Sequence, residues 1–419
     1  MKWRRLQGTF LGWLLLMPAA AGIGQTEKPA VQAGSQVSAT EEPSYQISER
    51  TVRQNQSSVG LSLGILGLYD SNYLGTASLQ QGQAIISFAP RLFANVRRRN
   101  SLLNLNYQVM YRRYPGGGTA DATDHSASLG YEVRPWRGTN IRLMDNVRYG
   151  PNDIRSSANA ASADSSQQVF SDSQNMLSNS LSGGVSITSG RRNRLDISGS
   201  HSLIRFNSRP DENTTSARVR AIDEYQWTRR WYLDVEASND WVRSANSARN
   251  ASILRFLGGP ALKTAGGWTL GIQVGGDRTQ LVSEASMQPS YGASVTKVSA
   301  TTRAAFQYWR RSSYQIGLSG IHRADSIVAR LEHRFGTRLT VNLQTQYYRT
   351  FGIESIDQLK TISGGAGFEY AIIPSVLASM SVNYMYQRQR FPSATMEDLN
   401  VNRYMASIGL YYFYPATKR

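Results

Sequence analysis

The chain has 419 residues, no cysteine and a formal net charge of +17. The lack of cysteine excludes disulfide bonds and lipid modification of a cysteine after an export signal. Beyond the N-terminal segment there is no long apolar run, which excludes helices that span a membrane. A strong positive charge can indicate nucleic-acid binding. Here the arginines are spread over predicted strands and turns without a known motif, so we expect no nucleic-acid partner.

The first residues are predicted to be a secretory signal peptide. Lys2, Arg4 and Arg5 form a positive start, 10–17 form a short apolar core, and alanines precede the expected cleavage point. We expect cleavage after Ala21, with Gly24 as the alternative. The sequence therefore predicts an exported protein with residues 1–21 removed.

Residues 22–56 differ from the rest of the chain in composition. Gln, Ser, Thr, Glu and Pro dominate, and the apolar residues show no period. Such a composition favours a flexible periplasmic leader. The alternative is a short periplasmic helix around 45–56.

From residue 57 onward, segments of alternating apolar and polar residues recur. In SLLNLNYQVMYRRY, which begins at Ser101, Leu103 and Leu105 alternate with Asn104 and Asn106. Side chains of a strand alternate between its two faces, so each segment has one apolar and one polar face. A strand of this length suits a tilted crossing of a bilayer, which needs about 9–11 residues. The pattern predicts strands with one face to lipid and the other to a wet lumen.

Short and long connections join these segments in turn. Short turns rich in Gly, Asn and Arg are predicted at 97–100, 136–139, 190–193, 228–230, 264–267, 309–313, 335–338 and 371–374. Longer polar connections are predicted at 70–82, 115–124, 150–172, 207–213, 243–250, 282–292, 323–325, 352–357 and 391–400. Together they give an all-β fold over 57–419, a transmembrane antiparallel up-and-down β-barrel of about 18 strands. If 312–335 is misread, the count is 16 strands.

Aromatic residues lie near both ends of the predicted strands, as in membrane barrels whose rings favour the interfaces. Those near short turns are Trp136, Trp227, Trp231, Trp268 and Trp309, and those near long connections are Tyr69, Tyr73, Tyr111, Tyr114 and Tyr149. The last predicted strand has one aromatic and apolar face: Tyr404, Ala406, Ile408, Leu410, Tyr412 and Tyr414. It is similar to the C-terminal signal read by the barrel-assembly machinery, although 415–419 follow the final aromatic.

The opening of the barrel carries three recognisable motifs. VGLSLGILGLYDSNYLG (59–75) is followed by IISFAPRLFANV (85–96) and NYQVMYRRY (106–114). This order resembles the β-barrel porin type 2 family over about 57–150. The resemblance implies the cell outer membrane of a Gram-negative-type bacterium, with outer-membrane lipid and lipopolysaccharide around the barrel. Members are often found near polysaccharide-export genes, which implies polysaccharide-export components as partners, and the resemblance brings no catalytic residue.

Tyr69, Asp70 and Asn72 match the Tyr-Asp-x-Asn segment of that family. We expect Asp70 and Asn72 to form an Asx-type bend beside an interface tyrosine rather than a binding site.

Catalytic chemistry finds little support. His201 has Ser200 and Ser202 beside it in the sequence. Consecutive residues of a strand point to opposite faces, so His201 cannot act as the base that activates either serine as a nucleophile. His322 and His333 flank a predicted hairpin and could face each other, but no acid or cysteine cluster completes a metal site. We expect no enzyme activity, no metal and no cofactor.

The lumen is the better functional candidate. Continued from the apolar faces, the period of two points these side chains inward: Arg112, Arg134, Arg142, Arg148, Arg194, Arg218, Arg220, Arg303, Glu132, Asp196, Glu224, Asp234, Glu236 and Asp277. They either set ion selectivity or pair across strands and stabilise the wall. The predicted connection 150–172 could also fold inward as a constriction. We therefore expect a porin-like channel, with a structural or surface-interaction barrel and a lipid-acting barrel enzyme as alternatives.

Overall fold

The computed structural model describes residues 58–72, 82–116, 121–151, 175–207, 213–245, 250–281, 285–314, 321–352, 358–390 and 399–416. The predicted signal peptide, the predicted leader and Tyr73 lie outside these ranges, as does most of 150–172. Within the described residues, no helix is long and apolar enough to cross a membrane.

The described residues form strands of 12–18 residues. Their bounds are β1 Ser58–Asp70, β2 Gln83–Arg97, β3 Ser101–Arg113, β4 Ala122–Val133, β5 Thr139–Pro151, β6 Asn175–Ser189, β7 Asn193–Phe206, β8 Thr214–Gln226, β9 Trp231–Ser244, β10 Ala251–Lys263, β11 Trp268–Leu281, β12 Ala285–Val298, β13 Thr302–Tyr314, β14 Ile321–Phe335, β15 Leu339–Gly352, β16 Gln358–Ile373, β17 Val376–Arg390 and β18 Leu399–Ala416.

Each strand pairs antiparallel with its sequence neighbours, and β18 pairs with β1 to close the sheet. At the closure, Leu66 of β1 stands opposite Gly409 of β18. The prediction of a closed up-and-down barrel of 18 strands is confirmed, and the alternative of 16 is wrong for the described residues. Closure leaves no unpaired sheet edge, which is what allows strands to cross a bilayer.

The short turns lie at one end of the barrel, and glycines shape several of them. Gly138 has φ +81° and Gly267 has φ +77°, a region that residues with a Cβ rarely adopt. At Gly267 a Cβ would also stand 2.5 Å from the carbonyl oxygen of Val298 on the next turn. These glycines therefore let the chain reverse tightly between long strands.

Three predicted connections are wrong in part or in full. Residues 285–292 of the predicted connection 282–292 belong to β12. The residues predicted as a turn at 309–313 belong to β13, and those predicted as a connection at 323–325 belong to β14. The preceding turn is 299–301, and the connection between β13 and β14 covers 315–320. The total of 18 was still right because each of the three predicted connections has one counterpart in this region, and each counterpart ends earlier in the chain than predicted.

Pro289 and Gly292 explain the first error, because they resemble loop residues yet lie within β12. Pro289 stands opposite Gly276 of β11, but pairing of β12 with β13 ends at Tyr291, so on the β13 side no ladder partner needs an N–H from Pro289. Gly292 stands opposite Trp309, whose ring occupies the space that a Cβ would take. Trp309 therefore lies within β13, where its ring packs over Gly292 of β12. It does not belong to the aromatic belt predicted at the short turns.

The outer face of the barrel is apolar. Large side chains such as Ile65, Leu92, Ile272 and Ile408 are exposed there. In water this surface would be costly, whereas lipid tails match it. Tyr69, Tyr111 and Tyr149 extend the outer face near the long-connection end, but Tyr114 is buried.

Candidate functional site

Contacts between strands that are not neighbours identify the inner face, because they can only cross the barrel interior. Tyr314 of β13 packs against Met176 of β6 and against Ile204 and Phe206 of β7. It also packs, with Ile321 of β14, against a second buried cluster of Val242, Ala251 and Ile253 on β9 and β10. The long-connection ends of β13 and β14 thus lie across the mouth of the barrel and narrow it.

A polar network holds β13 in this inward position. Arg255 of β10 donates from Nε to Asp277 of β11 at 2.9 Å, and from Nη2 to the carbonyl oxygen of Ser312 at 2.8 Å. The backbone N–H of Ser312 donates to the other oxygen of Asp277 at 2.6 Å. Arg255, Asp277 and Ser312 are all buried. Side chains of β10 and β11 therefore satisfy β13 backbone groups that have no partner strand on the β12 side.

This network continues along the wall. Asp240 of β9 lies 4.0 Å from Arg255 and accepts a hydrogen bond from Nη2 of Arg218 on β8 at 3.0 Å. We call Arg218, Asp240, Arg255, Asp277 and Ser312 the mouth network. Alternating charges in a poorly solvated wall are mutually stabilising, so the network fixes the narrowed mouth.

Further ion pairs line the same side of the lumen toward the short-turn end. Arg220 lies 2.6 Å from Glu236, and Lys263 lies 2.9 Å from Glu224. Asp234 is buried directly opposite Glu224. Much of the charge on β8–β10 is thus neutralised within the wall.

The adjoining part of the wall, on β3–β5 and β7, is similar. Arg112 and Arg148 both bind Asp124, the second at 3.3 Å. Arg194 lies 2.9 Å from Asp196 and donates to Ser186 at 3.1 Å. One acid thus serves two arginines at Asp124.

Other arginines have no acid partner among the described residues. Arg142 stands opposite Glu132, but Glu132 pairs with Arg134 at 3.2 Å, in the turn after β4. Arg330 of β14 is half-buried, and its Nε has no hydrogen-bond partner within the described ranges. A recess beside Arg330 is lined by the polar side chains of Gln344, Gln346, Ser363 and Asn383. These positions offer positive charge to a solute in the lumen.

The register places the predicted lumen residues of the strands on one inner side. They are Arg112, Glu132, Arg142, Arg148, Arg194, Asp196, Arg218, Arg220, Glu224, Asp234, Glu236, Asp277 and Arg303, the last opposite Glu332. Arg134 follows β4 in a turn and is exposed. The sequence suggested that these residues either set ion selectivity or pair and stabilise the wall. Some of them pair within the wall, and others, such as Arg142, have no acid partner among the described residues.

The family-motif residues lie at the barrel seam. Asp70 forms a fully buried ion pair with Arg403 of β18, whose Nε lies 2.9 Å from the carboxylate. The N–H of Asn72 donates to Asp70 at 3.1 Å, which is an Asx bend, and its amide donates to the Asn402 carbonyl oxygen at 3.2 Å. Tyr69 is exposed on the outer face. Asp70 and Asn72 thus join the first strand to the last.

Sequence reasoning missed Arg255, Asp240, Arg330 and Arg403. In β10 the inner residues Ile253 and Leu257 are as apolar as the outer ones, so the pattern does not show which face is inner. The position of Arg403 could have been predicted from the sequence. Tyr404 lies on the aromatic outer face of the last strand, so the residue before it lies on the inner face.

The histidines do not assemble a reactive site. His322 and His333 lie near opposite ends of the single strand β14, so the prediction that they flank a hairpin is wrong. His333 binds Thr302 at 2.8 Å, and His201 has an outer-face position while Ser200 and Ser202 have inner-face ones. Among the described residues, no group of three or more His, Cys, Asp or Glu side chains is placed to hold a metal ion.

No family model matches the chain, and no curated protein matches it. Solved structures that it resembles include OpdK with vanillate from Pseudomonas aeruginosa, 9% identical over 85% of this chain and 99% of that chain, with a TM-score of 0.45. Another is OccK2 (OpdF) from the same organism, at 10% identity over 86% and 98%, with a TM-score of 0.43. The FrpB iron transporter from Neisseria meningitidis is 8% identical over 85% and 81%, with a TM-score of 0.46. At these identities the likeness concerns the barrel fold alone, and the resemblance to the β-barrel porin type 2 family stays a prediction.

Proposed function

We propose that the protein is an outer-membrane channel of the porin type that conducts small anionic solutes. The observation that carries the proposal is a closed barrel of 18 strands with an apolar outer face and an inner face lined by ionised side chains. A barrel of 16–18 strands encloses an aqueous lumen, since side chains cannot fill it.

Selectivity follows from the charge that the wall does not neutralise. Arg142 and Arg330 have no acid partner among the described residues. Positive charge on the lumen wall raises the local concentration of anions and lowers that of cations. The narrowed mouth favours small solutes over large ones.

Conductance in planar bilayers tests the proposal. In a gradient of potassium chloride the reversal potential should show preference for chloride, and Arg330→Gln should reduce that preference. If purified barrels insert into the bilayer but conduct at no voltage, the channel proposal is rejected in favour of a structural or surface-interaction barrel. Loss of function on deletion of an outer loop alone would favour the surface alternative, and loss on a single histidine substitution would favour an enzyme.

An association with polysaccharide export is a finer proposal, supported by the resemblance over 57–150 alone. Deleting the gene in its host should then lower the polysaccharide at the cell surface without changing the uptake of small anions. Fractionation tests the location, because the protein should sediment with the outer membrane and begin near Gly22.

A further inference from the structure

A row of basic side chains crosses several strands near the long-connection end of the barrel. Arg349 of β15 stands directly opposite Lys360 of β16, and Lys360 stands directly opposite Arg388 of β17. On the other side, Arg349 stands opposite Asp325 of β14, which is opposite Arg310 of β13. We call Arg349, Lys360 and Arg388 the basic row.

The basic row lies on the outer face. Arg349 and Lys360 are exposed, whereas their chain neighbours Thr350 and Leu359 are among the most buried residues of the barrel wall. Successive residues of a strand point to opposite faces, so the row and the lumen are separated by the wall. Arg349 and Lys360 each stand within three residues of a strand end that leads to a long connection.

Aromatic rings support these cations. The Arg349 guanidinium lies 4.6 Å from the ring centroid of Phe351, and that of Arg310 lies 5.2 Å from the same ring. The ammonium of Lys360 lies 5.9 Å from the ring of Tyr347. Tyrosine rings mark the headgroup layer of a membrane barrel, so the basic row is at the depth of lipid headgroups.

Basic residues outnumber acidic ones at these cross-strand positions. Asp325 lies 3.2 Å from Arg310, and it is the single carboxylate among these cross-strand positions. Like charges directly opposite each other in a sheet repel and destabilise it. Three neighbouring cations held at one height are therefore suited to an anion with more than one charge.

We propose that the basic row binds the phosphorylated headgroup of an outer-leaflet lipid, the chemistry of the lipid A part of lipopolysaccharide. The outer-leaflet location rests on the proposed function. A lipid fits better than a free anion because apolar side chains continue from the row toward the middle of the strands. Ile327 and Ile362 stand two residues from Asp325 and Lys360 on the same outer face, where acyl chains would lie.

Binding of bisphosphorylated lipid A to the purified barrel in neutral detergent tests this site. The variant Arg349→Gln/Lys360→Gln/Arg388→Gln should bind it about 100-fold more weakly, since each charge near a lipid surface contributes about fivefold. Arg278→Gln is the matched control, because Arg278 has a similar height on the outer face of β11 but stands between Leu254 and Met287. The control should bind as the wild type does.

Two competitors test the parts of the ligand one at a time: dephosphorylated lipid A has the acyl chains without the phosphates, and inorganic phosphate has the charge without the acyl chains. Neither should compete at concentrations where bisphosphorylated lipid A saturates the site. Equal binding by the triple variant would overturn the proposal, and full competition by inorganic phosphate would overturn the assignment to a lipid. Should the triple variant fail to fold, the single variant Lys360→Gln with about fivefold weaker binding provides the same test. Conductance of the same preparations is read separately, so failure of the channel is distinguishable from failure of this site.

Discussion

Asp277 of β11 accepts a hydrogen bond from the backbone N–H of Ser312 of β13, a strand that is not its neighbour. Arg255 completes the contact by binding both Asp277 and the Ser312 carbonyl oxygen. The end of β13 near its long connection is thus bonded to side chains of β10 and β11 instead of to the backbone of β12. The width of the mouth consequently depends on two charged side chains.

Releasing this attachment should widen the channel. In Arg255→Met/Asp277→Leu the Ser312 backbone loses both partners, so we expect a larger single-channel conductance. Asp277→Leu alone should destabilise the barrel by about 3–5 kcal/mol, because it leaves buried Arg255 without the carboxylate to which it donates a hydrogen bond. Single-channel recording and chemical unfolding in lipid measure the two effects. An unchanged conductance in the double variant would show that the mouth does not limit flow.

The two faces of β17 should respond differently to charge. Met380→Arg places a charge on the outer face and should cost about 2–4 kcal/mol in free energy of unfolding from lipid. Ser381→Arg points into the lumen and should cost almost nothing. Val341→Arg and Asn342→Arg form an equivalent pair on β15. Equal destabilisation within either pair would contradict the inner and outer assignment.

Arg142 and Arg148 should differ in their effect on ion selectivity. Arg142→Gln should shift the reversal potential toward cations, because no described acid pairs with Arg142. Arg148→Gln should shift it less, since Asp124 already offsets part of the Arg148 charge at 3.3 Å. Both shifts should fade between 0.1 M and 1 M salt, where the screening length falls from about 10 Å to about 3 Å. A larger effect at Arg148 would contradict this assignment.

Asp121 lies just before β4, outside the strands, and its pKa depends on a hydrogen bond from Tyr111 of β3. The Tyr111 hydroxyl donates a hydrogen bond to this carboxylate and lowers its pKa below 3.8, with a smaller contribution from the Tyr114 N–H. A lowered pKa means that the contact stabilises the fold above the ordinary carboxyl pKa and stops doing so as the pH falls through the lowered value. In Tyr111→Phe, carboxyl titration by NMR should show the pKa returning toward 3.8. An unchanged pKa would mean that the hydrogen bond does not form.

The alternation of apolar and polar residues was enough to predict the barrel, because each strand repeats the same two-residue period. It was readable where the faces differ in polarity, as at Tyr404 and Arg403, and ambiguous in β10, where Ile253 faces inward. The boundary between β12 and β13 was missed because Pro289 and Gly292 resemble a turn. The mouth network was beyond reach, since it joins non-neighbouring strands and uses backbone atoms of Ser312 that no residue pattern encodes.

The seam between β1 and β18 also has a kinetic meaning. Asp70 and Arg403 are 333 positions apart, and both are fully buried once paired. Asp70 belongs to the first described strand, whereas its counter-charge is supplied by the last described strand, β18. Until β18 arrives, the first strand carries an acid whose burial is strongly unfavourable. We therefore expect a chain that lacks β18 to remain open at this edge, because β18 both pairs with β1 and supplies Arg403.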